Sequence, residues 1–246
     1  MQLYGFHAVT ARLRQRPEGV AALYIDLARE DGRMRDLVQL AERLGVPLHR
    51  VDARRLEGLA PHRRHQGVVA LVEASPSGAQ SLPELLETIP KPRLLLLDGV
   101  TDPRNLGACL RVADGAGIHA VIAPKDHSCP LNEAAIQTAS GAADSVPYLL
   151  VTNLARTVDT LQERGLTVLG TDDAATESLW TIAIPESVAW VLGAEGKGLR
   201  RLTRERCDAL VSIPMAGQVS SLNVAVAAGV VLYETARRHA CAPQTP

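Results

Sequence analysis

Glu195, Ser220, Ser221 and Asn223 are polar residues of two glycine-bearing loops in the last quarter of the chain, and each loop follows a short apolar run. VAWVL precedes GAEGKG, and ALVSI precedes PMAGQVSSLN. Runs of that length and β-branched content are what buried strands require. Around Gly193, Gly196, Gly198 and Gly217 no Cβ stands in the way, so the backbone can approach a ligand closely. Polar loops at converging strand ends are where α/β proteins hold their ligands. A third segment, RLLLLDGVTDPRNLGACLRVADGAGIHAVI (residues 93–122), adds an amide and a guanidinium. Its four leucines end at Asp98-Gly99, Pro103 can open a helix at its first turn, and Asn105 and Arg111 follow six residues apart, close to two helical turns. The chemistry on offer is ligand binding by main chain, with hydroxyls, amides, one acid and one guanidinium at its edge.

Each of these side chains also has a structural reading. Arg111 is the only charge between Leu106 and Val112, as expected of an arginine on the solvent face of a helix. Asn105, after Pro103-Arg104, could cap a helix start. Glu195 could be a helix-start acid offset by Lys197, Arg200 and Arg201, and Ser221 and Asn223 could cap the long apolar helix that follows. Other patterns fall away. GAGIHA (residues 115–120) fits a dinucleotide fingerprint formally, but it lies after a helix and before a strand, the reverse of the required context. Gly196-Lys197-Gly198 lacks the hydroxyl and the spacing of a phosphate-binding P-loop, and no G-x-S-x-G elbow exists. His62 and His65 flank Arg63-Arg64 in a short basic loop suited to phosphate contact, with no pattern of further metal ligands.

The elements that must position these residues alternate along the chain. Strands are expected at residues 94–97, 119–123, 146–151, 166–170, 188–193 and 209–213, with helices near 105–116, 132–140, 153–164 and 220–238, a parallel-sheet α/β pattern. Residues 1–75 form a smaller α/β domain, with strands at 21–25, 46–51 and 67–73. Its helix at 33–44 carries Met34, Leu37, Val38, Ala41 and Leu44 at helical spacing and stops at Gly45. Residues 76–90, rich in proline and serine, read as a linker with a short helix around 82–88, leaving 91–246 as the larger domain. With 46% hydrophobic residues but one phenylalanine, the core must be aliphatic. A net charge of −1 speaks against a generic polyanion binder, yet residues 1–75 carry 12 arginines against 9 acids and four of the seven histidines. The four cysteines form no C-x-x-C pair and no metal-ligand spacing, which fits reduced thiols in the cytoplasm and no metal site. The N-terminus lacks the apolar core of a signal peptide, and the longest apolar run, residues 224–233, is too short to span a bilayer, so no membrane association is expected.

The three segments around Asn105, Glu195 and Asn223 resemble, in order, the three motifs of the SpoU/TrmH family of RNA 2′-O-methyltransferases, of the knotted SPOUT class. G-A-E-G-K-G-L followed by I-P-M-x-G-x-V-S-S-L-N-V carries most of that resemblance, which covers residues 93–238. It implies a C-terminal parallel-sheet domain with a trefoil knot. The segments YGFHAVTARL and HRRHQGVVALVE resemble the N-terminal L30e-like substrate domain of the subfamily that methylates a guanosine in 23S ribosomal RNA. The implied reaction moves the methyl of S-adenosylmethionine to a ribose 2′-hydroxyl. Arg111 falls on the family's catalytic arginine, and Asn105, Glu195, Ser221 and Asn223 fall on its other motif residues. Cofactor contacts are expected from Leu192, Gly193, Gly196, Ile213, Met215 and Leu222, largely through main chain. Arg111 suits stabilisation of a forming alkoxide better than general base work, because a guanidinium holds its proton. Ala225 departs from the family pattern, which commonly has a serine there. The resemblance also implies a homodimer through the apolar last helix and 23S ribosomal RNA as partner. The alternatives are a transfer RNA methyltransferase of the same family and a non-catalytic RNA-binding protein.

Overall fold

The computed structural model describes residues 2–61, 65–73 and 81–241. The expected basic loop at 62–65 falls mostly outside them, as do residues 76–80 of the expected linker. The first unit runs β1 (Gln2–Tyr4), α1 (Phe6–Gln15), β2 (Val20–Asp26), α2 (Gly32–Arg43), β3 (Leu48–Val51), α3 (Ala53–Leu59) and β4 (Val68–Val72). Its sheet has the order β1-β4-β2-β3, with β4 antiparallel to both neighbours and β2 parallel to β3. Asp31 starts α2 by accepting from Met34 N at 3.1 Å, and Met34, Leu37, Val38 and Ala41 turn its apolar face onto the sheet. Helix α1, absent from the sequence reading, buries Phe6, Val9 and Leu13 at the same three- and four-residue steps.

The second unit runs α4 (Leu82–Thr88), β5 (Arg93–Asp98), α5 (Pro103–Gly115), β6 (Ala120–Pro124), α6 (Glu133–Ala139), α7 (Ala142–Ser145), β7 (Tyr148–Val151), α8 (Leu154–Glu163), β8 (Thr167–Thr171), β9 (Glu177–Ser178), β10 (Val188–Gly193), α9 (Arg201–Arg206), β11 (Ala209–Ser212) and α10 (Val224–Cys241). Seven strands lie in the order β7-β6-β5-β10-β8-β11-β9, and every pairing is parallel. The central strands are apolar throughout because both faces are covered. Leu95, Leu97, Trp190 and Leu192 enter the core against α5 and α10, while Leu94, Leu96, Ala189 and Val191 enter the one against α4 and α8. Trp190 is fully buried, and its indole N–H donates to Thr235 Oγ1 at 2.9 Å.

Most element ends fall within two residues of expectation, and two places bear on the domain boundary and the site. Residues 81–88 are structured: Ser81 and Glu84 form a reciprocal capping box, and Leu85 is buried among Leu94, Leu96 and Val191. The short helix expected at 82–88 is thus present as α4, and a cap and one buried leucine fasten it to the larger sheet. The last helix begins at Val224 and not at residue 220, because Asn223 Oδ1 accepts from the amides of Ala225 at 3.0 Å and Val226 at 3.4 Å.

The two units touch through α1 and β1 on one side and α6 and α7 on the other. Arg12 Nε lies 2.9 Å from Asp144 Oδ2, with both side chains 4% exposed or less. That approach is an ion pair without the alignment of a hydrogen bond. Gln137 Nε2 donates to Tyr4 O at 3.0 Å, and Ile136 packs into the core of the first unit.

Candidate active site

The C-terminal ends of β8, β10 and β11 open into one cavity of about 430 Å³, within the roughly 300–1,000 Å³ typical of small-molecule sites. Leu192, Gly193 and Gly196 line it from β10 and its loop, Ile213 and Met215 from the segment after β11, and Ser220, Ser221 and Leu222 from the approach to α10. All six residues expected to touch a cofactor therefore share one wall system. Asp172 joins them after β8, its carboxyl held below the usual carboxylate range by the Arg204 guanidinium, whose Nε lies 2.6 Å away.

The loop after β10 keeps its shape by folding on itself. Gly198 N donates to Ala194 O at 2.9 Å, and a Cβ on Gly193 would lie 2.1 Å from the Gly198 carbonyl carbon. Gly193 is thus demanded by this self-contact, while Gly196 and Gly198 supply the positive φ angles of +71° and +63°. Asp98, fully buried at the end of β5, accepts from Arg200 N at 2.9 Å and so ties the far end of the loop to the neighbouring strand. Sequence reasoning missed this anchor. Its signal was there: a lone acid closing a run of leucines must find a partner.

At the rim of the cavity three motif side chains meet. Asn223 Nδ2 donates to Asn105 Oδ1 at 3.0 Å and to Glu195 Oε1, and Asn105 Nδ2 lies 3.4 Å from the same Glu195 oxygen. Val224 N also points at that oxygen, at 3.4 Å. One carboxylate therefore gathers the loop after β10, α5 and α10, segments up to 118 residues apart. The helix-start role weighed for Asn105 belongs to Asp102, which accepts from Arg104 N at 2.7 Å and Asn105 N at 3.0 Å. That leaves the Asn105 side chain for the site.

Arg111 is not in this group. It is exposed, donates to Ser140 Oγ at 3.4 Å, and lines a second, larger cleft of about 970 Å³ between the two units. Six residues on an α-helix are about 600°, so Arg111 sits roughly 120° around α5 from Asn105 and about 9 Å along it. Six residues, close to two turns, therefore leave them on different faces of α5. Among the described residues no group of three His, Cys, Asp or Glu could hold a metal ion, and no helix is long and apolar enough to cross a membrane.

Residues 92–233 match the SpoU rRNA Methylase family, and residues 2–77 match the family described as RNA 2′-O ribose methyltransferase substrate binding. The 23S rRNA (guanosine-2′-O-)-methyltransferase RlmB of Bordetella pertussis is 56% identical over 237 residues, 96% of each chain. The enzyme of that name from Escherichia coli is 48% identical over 237 residues, 96% of this chain and 98% of its own. Among solved structures, the SpoU methyltransferase AviRb from Streptomyces viridochromogenes, in complex with AdoMet, superposes with a TM-score of 0.78 at 25% identity, covering 98% of this chain and 90% of that one.

Proposed function

The chain belongs to the SpoU rRNA methylase family, and we propose that it transfers the methyl group of S-adenosylmethionine to the ribose 2′-hydroxyl of a guanosine in 23S ribosomal RNA. The observation that carries this reading from the geometry is the strand-end cavity with the Glu195–Asn105–Asn223 cluster at its rim. Leu192, Ile213 and Leu222 give apolar walls suited to an adenine ring, and the main chain of residues 193–196 and 213–215 offers donors and acceptors beside them. The trefoil knot of the SPOUT class and the L30e-like character of residues 2–73 belong to the same reading.

S-adenosylmethionine supplies a methyl group already activated on a sulfonium, so the protein's tasks are alignment and charge. The hydrogen-bonded rim fixes where the ribose can sit, which converts an encounter into a positioned reaction. Glu195 and Asn105 offer acceptors to the ribose hydroxyls. Arg111 provides the positive charge that a 2′-oxygen needs as its proton passes to water and the sulfonium leaves as a neutral thioether, and its planar fork can hold a neighbouring phosphate as well.

One chain does not bring Arg111 to the cavity, and an exposed apolar stripe on α10 supports docking of a second copy. Val226 and Tyr233 are 52% and 55% exposed on a helix whose other face is core. We read the working enzyme as a homodimer across this stripe, completed when cavity and Arg111 come from facing copies.

The test is transfer of labelled methyl from S-adenosylmethionine to 23S ribosomal RNA, with the product mapped for ribose methylation. Label on a guanosine 2′-oxygen is expected. Label on a base, or transfer only to transfer RNA, would overturn the reading.

A further inference from the structure

The larger cleft has a wall that the methyl-transfer site does not use. From α1 it takes Arg14, and from α2 it takes Arg33 and Arg43. Arg33, Asp36, Leu40 and Arg43 recur at three- and four-residue steps, so a single face of α2 lines the cleft. The two α2 arginines stand about 15 Å apart along the helix. Arg111 faces them from α5. Among the described residues Arg14, Arg33, Arg43 and Arg111 form no ion pair, whereas Arg12, one half-turn before Arg14 on the same helix, does. Four unpaired guanidinium groups around one concavity, against Asp36 and Asp114, make a field that calls for a polyanion.

The cleft is also preformed. The buried Arg12–Asp144 pair lies two residues before Arg14 on α1, and Gln137 is hydrogen-bonded to Tyr4 O across the same boundary. Gly141 brings the units closer still, since a Cβ there would meet the Ala11 Cβ at 2.3 Å. The arginine wall therefore stands at a set distance and angle from Arg111.

We propose that this cleft is the seat of the RNA backbone beside the reacting nucleotide: Arg14, Arg33 and Arg43 hold successive phosphates of a looped or single strand and feed its ribose toward Arg111. The assignment rests on the methyltransferase reading for the role of Arg111, and on the cleft alone for the phosphate contacts. Arginine suits that task because its fork matches phosphate oxygens in pairs.

The experiment uses the full-length protein and a 23S ribosomal RNA fragment that the wild type binds. Binding is followed by direct titration at several salt concentrations, without methyl transfer, and turnover is measured separately. Each phosphate contact on a single strand adds about 0.7 to the slope of log K against log salt, so Arg14→Ala/Arg33→Ala/Arg43→Ala should lower the slope by about 2. Its KM for RNA should rise about ten-fold or more, with kcat within about two-fold and S-adenosylmethionine affinity unchanged. Arg54→Ala/Arg55→Ala, on α3 and outside the cleft, removes similar charge and should leave slope and KM as they were. An unchanged slope in the triple variant, or an equal loss in the α3 control, overturns the proposal. Because binding is read without chemistry, a protein that keeps the slope effect but transfers no methyl would sink the proposed function and leave the seat standing.

Discussion

The strand-end cavity and the interdomain cleft hold their functional groups in opposite ways. At the cavity, Glu195, Asn105 and Asn223 spend their hydrogen bonds on one another, and Gly193 and Asp98 lock the loop that carries Glu195. At the cleft, the arginines have no ionic partner, and rigidity comes from a buried pair behind the wall. A small-ligand site gains from groups fixed before the ligand arrives, since each side chain ordered on binding costs free energy. A polyanion seat gains from charges left free to find phosphates. The difference teaches that the two cavities can be damaged separately, and the predictions follow from that.

The largest effect is expected at Arg111. Arg111→Ala should lower single-turnover methyl transfer by about a hundred- to a thousand-fold, as removal of a charge-stabilising donor does. Arg111 does not line the strand-end cavity of its own chain, and in the dimer its charge serves the ribose oxygen and not the cofactor, so S-adenosylmethionine affinity should stay within about two-fold. Arg111→Lys should recover little, because an ammonium lacks the planar fork. A cofactor titration beside the kinetics checks both halves. Loss of cofactor binding in Arg111→Ala would merge the two cavities into one unit and break the comparison.

Next comes the boundary that sets the cleft. Arg12→Ala removes the cation from a buried ion pair, and breaking such a pair costs about 3 kcal/mol. Urea denaturation should show that loss, and RNA affinity should fall with it while cofactor affinity holds. Arg12→Met/Asp144→Leu should regain most of the stability, since apolar replacement of both partners removes the uncompensated charge. If it also regains RNA affinity, the pair acts by holding the walls in place.

How much of this was legible in the sequence depends on what held each part together. Strand β10 matched residues 188–193 end to end, because a strand buried on both faces leaves an uninterrupted apolar run. The residues expected to touch a cofactor converge on one cavity because they sit at strand ends, which the α/β alternation already locates. Short β1 and α1 passed unnoticed, although Phe6, Val9 and Leu13 keep helical steps. Helix α4 was legible over its whole length, 82–88, but only tertiary packing of Leu85 shows which unit owns it. The separation of Arg111 from Asn105 was readable from the helical angle but was obscured by treating six residues as nearly two turns. The arginine wall was not readable at all, since Arg14, Arg33 and Arg43 meet only when two helices are placed side by side.

A smaller effect, on the other cavity, should come from Gly193→Ala. The new methyl would overlap the Gly198 backbone, which has no side-chain freedom with which to yield. The loop must open, and S-adenosylmethionine affinity should fall about ten-fold, roughly 1.4 kcal/mol. RNA affinity at the cleft should not change. Calorimetry with cofactor and a filter-binding titration with RNA read the two sides. A parallel fall in both would mean that the cavities are coupled through β10.

The smallest effect is expected at Ala225, where the family commonly carries serine. Ala225 is 9% exposed, the second residue of α10, and packed with Val224 and Ala228 in the core against β5 and β10. A hydroxyl at such a position would be useful if it accepted from a free amide at the helix start. Here Asn223 Oδ1 already takes the amides of Ala225 and Val226, and Glu195 Oε1 faces that of Val224. The first turn is therefore served without a serine, and Ala225 adds apolar contact in its place. Ala225→Ser should change cofactor affinity and turnover by less than about two-fold and lower stability slightly, because a buried hydroxyl must find a partner to offset its desolvation. The measurement is a side-by-side cofactor titration and thermal melt of the two proteins. A several-fold gain in turnover from the serine would show that the rim of the strand-end cavity is not fully formed by Glu195, Asn105 and Asn223, and that its groups are less fixed than the contrast with the cleft requires.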